Sequence, residues 1–167
     1  MAPLRDLLTR LSSSIESNFL DSMERTFKQY YDKRGVLENN AFQGVDQMLA
    51  DLNQRGHRLF VAANKRLVPT IVLIEYFSWC DYFSGIYSLD SFGSYLKDKA
   101  ALLKQILEIH SLVNADTIYI GDRSEDSIAA LDNELTFLHA AWGYTDSLKE
   151  SFDNISVLAS DIHRHLS

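Results

Sequence analysis

From residue 44 onward, short apolar runs alternate with helix-length amphipathic segments, and this pattern restricts the fold more than any other feature of the chain. "GVDQMLADLNQRG" places Val45, Met48, Leu49 and Leu52 on one helical face and ends at Gly56. "HRLFVAANK" then reads as a short strand, residues 69–79 as a helix, "FSGIYS" as a second strand and "KDKAALLKQILEIH" as a second amphipathic helix. "DTIYIGD", "SEDSIAALDNE" and "LTFLHAAWG" continue as strand, helix and strand, and "ISVLA" reads as a short edge strand before the tail. Strands alternating with helices in this way predict βαβ units and a parallel sheet. Ligands of such sheets gather beyond the carboxyl ends of the strands. Chemistry is therefore expected at Ala63-Asn64-Lys65, at Ser88-Leu89-Asp90, from Asp122 to Asp126, and near Trp142-Gly143.

The segment before residue 44 has a different character. Residues 4–34 read as helical, with Ser13 to Glu16 in the S-x-x-E form of a capping box. Leu20, Met23, Phe27, Tyr30 and Tyr31 recur at helical spacing, and Gly35 suits a helix C-terminus. "VLENNAFQG" reads as a polar connector.

Size and charge bound the function. The 167 residues suit one domain, or one domain with a small appendage. The formal net charge is −7 with no basic run, which argues against nucleic-acid binding through clustered Lys and Arg. One or two placed cations would still suffice for a small phosphate ligand. The single cysteine, Cys80, excludes an internal disulfide and a CxxC zinc site, and its apolar neighbours suggest a buried structural thiol. The five His residues lack ligand spacing, and "HRH" near the end reads as a solvated tail. No apolar stretch approaches the length of a membrane helix, and "MAPLRDLLTRL" lacks the pattern of a signal peptide, so no membrane association and a cytoplasmic location are expected.

The most informative candidates are Asp122 and Asp126 in "TIYIGDRSEDSIAA". Asp122 ends a buried strand and Asp126 follows one helical turn later, with Gly121 allowing a tight turn. Two carboxylates converging there suit a hard cation such as Mg²⁺. The same spacing equally fits Asp122 as a helix cap and Asp126 as a first-turn acid favoured by the helix dipole. Lys97 and Lys99 precede the second amphipathic helix. Each reads as a solvated lysine by itself, and each is placed to hold a phosphate as a point charge. Asn64 and Lys65 read as a simple turn or as hydrogen-bonding groups for an anion. Trp142-Gly143-Tyr144 reads as a packed corner.

In order and spacing these segments resemble the haloacid dehalogenase superfamily, in its phosphoglycolate-phosphatase-like branch with a helical cap inserted near the N-terminus. "YYDKRGVLENNAFQGVDQMLADLNQRGHRLFVAANK" is similar to the end of a cap, its return linker and the second core strand. "DYFSGIYSLDS" resembles the third strand, "KDKAALLKQIL" the segment carrying the family lysine, and "YIGDRSEDSIAALDN" the acidic fourth motif, with "AAWGY" a common continuation. The resemblance implies a Rossmann-like three-layer α/β core with a parallel sheet over residues 41–167, and a partial helical cap over residues 1–40. It implies Asp122 and Asp126 as ligands of Mg²⁺, Lys99 as the phosphate lysine, and Asn64 and Lys65 beside the phosphate. Family members pass a phosphoryl group to the first aspartate of a D-x-D motif and then hydrolyse the intermediate.

The departures from the family are as informative as the matches. No two Asp residues in the chain stand two positions apart, so there is no D-x-D motif. The hydroxyl residue that ends the family's second motif falls on Ala63, and the usual Asn-Gly after the fourth-motif helix is Asn133-Glu134. Residues acting as a catalytic unit lose function together, so a chain without the nucleophile is expected to be inactive in covalent phosphoryl transfer and to serve binding or assembly. The alternative is an active Mg²⁺-dependent phosphomonoester hydrolase that is truncated here or completed by another chain. The resemblance also places the missing first strand in the middle of the sheet. Its loss leaves three outcomes: the flanking strands close up, a partner donates a strand, or two copies pair as a homodimer. "PLRDLLTRL" reads as helix and offers no replacement.

Overall fold

The computed structural model describes Thr9, residues 17–143 and residues 155–157. The chain divides into two units, Met1–Asn39 and Asn40–Ser167.

In the first unit, Ser17–Lys33 forms helix α1, and Lys28 pairs with Glu24 one turn back at 2.6 Å. The Ser13–Glu16 capping box lies outside the described residues. Gly35 does not supply the left-handed cap expected of it. The chain instead tightens into a 3₁₀ turn over Gly35–Glu38, closed by the Asn39 amide donating to the Val36 carbonyl at 2.7 Å. The expected polar connector therefore contains Val36, which is completely buried.

The second unit contains the alternation. Helix α2 (Val45–Gln54) is bracketed by two glycines in the left-handed region, Gly44 at φ 87° and Gly56 at φ 82°. Strand β1 (Leu59–Ala63), helix α3 (Leu67–Tyr76), strand β2 (Phe83–Ser88), helix α4 (Lys99–His110), strand β3 (Ile118–Gly121), helix α5 (Ser124–Asp132), strand β4 (Thr136–Ala140) and strand β5 (Ile155–Val157) follow. Helix α3 stops earlier than its sequence pattern suggests, because Ser78 turns the chain at φ 60°. The next turn, Cys80–Tyr82, leaves the Cys80 thiol exposed rather than buried. The indole of neighbouring Trp79 donates to Asp46 at 2.6 Å and packs on Phe77.

All strand pairs are parallel, as βαβ connections require. β1 pairs with β2 from Leu59↔Phe83 to Ala63↔Ser88, and β3, β4 and β5 form a second ladder. Period-two alternation sorts the strand residues between two helical layers. Phe60, Ala62, Tyr87, Tyr119 and Phe137 pack against α4 and α5, around Leu102, Leu103, Ile106, Leu107, Ala129 and Ala130. Leu59, Ile118, Ile120 and Leu138 pack on the other face against Met48 and Leu52 of α2. The result is the expected Rossmann-like three-layer α/β core, in which the described residues supply no first central strand. Direct pairing of β1 with β3 is not found among the described residues: the sheet is in two pieces. No helix among the described residues is long and apolar enough to cross a membrane.

Candidate functional site at the strand ends

The carboxyl ends of β1 and β3 are joined by Lys99. Its helix starts at Asp98, whose carboxylate accepts the Ala101 N–H at 2.9 Å, and this cap fixes Lys99 as the first helical residue. The Lys99 ammonium lies 3.2 Å from Asp126 Oδ1 and donates to the Ala62 carbonyl at 3.0 Å. Its side chain is 10% exposed, so the solvated-lysine reading does not describe it. That reading does describe Lys97, which is 89% exposed and meets Asp98 at 3.5 Å.

Asp126 accepts from three donors. Oδ1 takes Lys99 and the Tyr119 hydroxyl at 3.0 Å, and Oδ2 takes the Arg123 N–H at 3.2 Å. The N-cap of α5 is Arg123 rather than Asp122, and the capping work falls to Asp126 in the first turn. Burial, and after it the charge of Asp126, push the Tyr119 hydroxyl far above its ordinary range. Tyr119 thus stays a donor to Asp126 at any ordinary pH. Nothing in the sequence singled it out except its place on the strand that ends at Gly121.

Asp122 follows β3 and lies against the turn after β4. A Cβ on Gly143 would fall 2.6 Å from Asp122 Oδ2, and one on Gly121 would fall 2.5 Å from Asp126 Cβ. Two glycines therefore make the room the two acids occupy. Asn64 bends away from β1 and donates to Glu125 at 2.9 Å, a second link between the strand ends, and Lys65 occupies the next position of the same bend. Asp90 accepts the first N–H of α3, from Leu67, at 2.9 Å, which gives it a structural task. Trp142 packs with Leu52 and Leu138 as a corner residue.

Mg²⁺ takes six oxygens in near-octahedral geometry. The described residues hold no group of three or more His, Cys, Asp or Glu side chains able to bind a metal, and both Asp126 oxygens are engaged by donors. The residues present do not by themselves fit a resident Mg²⁺. A lysine ammonium with one donor position beyond its two contacts can take a phosphoryl oxygen, but no carboxylate here is positioned by a D-x-D strand to attack it.

Parallel strands between helical layers, with a buried lysine–carboxylate pair beyond the strand ends, define a Rossmann-like α/β domain. The chain belongs to the haloacid dehalogenase-like hydrolase family, whose sequence profile matches residues 2–140. It is 30% identical over 148 residues to a phosphoglycolate phosphatase of Psychrobacter arcticus, covering 83% of this chain and 63% of that protein. It is 27% identical over 118 residues to a 5'-nucleotidase of Pseudomonas aeruginosa, covering 71% of this chain and 53% of that protein. A haloacid dehalogenase-like hydrolase from Streptococcus pneumoniae shares the fold, with a TM-score of 0.79 at 20% identity over 99% of this chain and 77% of that one. The chain thus spans less than two thirds of the length of the phosphoglycolate phosphatase and of the 5'-nucleotidase.

Proposed function

We propose that this chain acts through binding or assembly on a phosphatase frame, and that as given it does not transfer phosphoryl groups. The observation that carries the reading is Lys99, held between Asp126 and the Ala62 carbonyl, with no D-x-D aspartate in the sequence to attack a phosphate beside it. Ala63 supports it, because a methyl group cannot hydrogen-bond a phosphoryl oxygen. Lys99, with Asn64 and Lys65 close to the end of β1, forms the part of the site that could hold a small phosphate ligand, and Asp122 is the acid that a completed site would offer to Mg²⁺. In the same reading α1 is what remains of a helical cap.

A second reading is supported by the retention of Lys99, Asp122 and Asp126 together: a Mg²⁺-dependent phosphomonoester hydrolase completed by a nucleophile-bearing segment outside these 167 residues. One assay separates the two. Purified chain is incubated with p-nitrophenyl phosphate and millimolar Mg²⁺, beside a Lys99→Met variant. The binding reading expects turnover at the blank rate from both. Metal-dependent turnover that is lost in Lys99→Met would replace it with the second reading.

A further inference from the structure

We infer that Glu125 is a built-in competitor for the phosphate end of the site: its carboxylate holds the Asn64 amide that a small anion would use. The inference rests on the proposed reading of Lys99, Asn64 and Lys65 as a phosphate-holding group. Its own basis is a pairing across the strand ends. Two consecutive acids in the first turn of α5 engage two donors around the end of β1. Asp126 takes the Lys99 ammonium at 3.2 Å, and Glu125 Oε1 accepts from Asn64 Nδ2 at 2.9 Å. Lys99 is itself fastened to β1 at the Ala62 carbonyl, two residues before Asn64. Both donors thus face carboxylates.

The two acids are held differently. Asp126 is 7% exposed, and the Tyr119 hydroxyl and the Arg123 N–H fix it in place. Glu125 is 46% exposed and leaves the capping of α5 to Asp126. Its other contact, with the Arg123 guanidinium at 3.9 Å, lies at the limit of an ion pair. Asn64 is exposed as well. A hydrogen bond in water contributes little net stability, because both partners regain water when it breaks. Glu125 can therefore swing away from Asn64 at small cost to the fold, whereas Asp126 cannot leave Lys99. Of the two links across the strand ends, Asn64–Glu125 is the one that opens.

A carboxylate and a phosphoryl group offer an amide the same thing, an anionic oxygen that only accepts. With Glu125 in place, Asn64 is turned toward α5 and a negative charge stands beside the end of β1. An arriving phosphate has to displace the carboxylate from the amide and meets its charge at close range. Asn64 Nδ2 keeps a second N–H, so the contact weakens anion binding rather than abolishing it. Glu125 thereby raises the concentration at which phosphate fills the site.

The test is isothermal titration calorimetry of the full chain with inorganic phosphate. Wild type is compared with Glu125→Ala, Glu125→Gln, Asn64→Ala, the Asn64→Ala/Glu125→Ala pair and Lys99→Met. Glu125→Ala is expected to bind phosphate about tenfold more tightly than wild type. Glu125→Gln keeps an acceptor oxygen and loses the charge, and should gain about threefold. In the Asn64→Ala background, Glu125→Ala should gain no more than about threefold, because no amide is left to release. A merely structural role for Glu125 would not produce this dependence. Circular dichroism checks folding, and Lys99→Met/Asp126→Asn replaces Lys99→Met if the single variant unfolds. The inference is overturned, with the phosphate reading intact, if Lys99→Met loses binding while Glu125→Ala binds no tighter than wild type. It is equally overturned if Asn64→Ala leaves the gain from Glu125→Ala unchanged. If phosphate binds none of these proteins, or binds Lys99→Met as well as wild type, the phosphate reading fails and the inference falls with it.

Discussion

The Lys99 ammonium and the Asp126 carboxylate meet at 3.2 Å with side chains only 10% and 7% exposed, one from the first turn of α4 and one from the first turn of α5. A buried pair of this kind stands or falls together, because removing one member leaves the other charged without compensation. Lys99→Met should destabilise the chain by about 3–5 kcal/mol, and adding Asp126→Asn should recover part of that loss. Urea unfolding of the two single variants and the double variant checks this. Strictly additive losses would show that the pair is not coupled.

Tyr119 makes a prediction at the alkaline end. Its hydroxyl is pushed upward in the folded chain, first by burial and then by Asp126, so the folded form keeps its proton where the unfolded chain releases it. Its contribution to stability is complete below the unfolded value near 10 and falls as pH rises above it. Above pH 10 the wild type should lose about 1.4 kcal/mol per pH unit more than Tyr119→Phe. Parallel unfolding curves for the two proteins across pH 9 to 11 would contradict the assignment.

The two glycines beside the acids should resist even a methyl group. Gly121→Ala would drive its Cβ into Asp126, and Gly143→Ala would do the same to Asp122. Each is expected to cost about 1–3 kcal/mol, the usual penalty of forced overpacking. Thermal or urea denaturation measures it, and a neutral Gly143→Ala would mean that Asp122 has room to move away.

Glu134 holds φ 55°, a left-handed conformation that suits glycine. This gives a physical reason for the glycine that the resembled family places there. Glu134→Gly removes a strain of about 1–2 kcal/mol and returns part of it as unfolded-chain entropy, for a net gain of about 0.5–1 kcal/mol. A lower urea midpoint in the variant would refute it.

The sequence alone determined the alternation of strands and helices, because burial on a pleated strand and on a helix leaves different periods in the residue order. It also placed Asn64, Asp122 and Asp126 at or just beyond the carboxyl ends of strands, and it showed that the chain has no D-x-D aspartate. It could not decide between a metal pair and a helix cap at Asp122 and Asp126, since both readings use the same four-residue spacing. Tertiary structure gave Asp126 to Lys99, Tyr119 and the Arg123 N–H, and set Asp122 against Gly143. Those partners lie 7 to 27 residues away or in another loop, apart from Arg123, so no local pattern could name them. Only the fold could show that the Cys80 thiol is exposed, in the turn beside the Trp79 indole that donates to Asp46. The division of the sheet likewise depends on which edges find a partner in space, and pairing between distant strands is not written in the periodicity of either one.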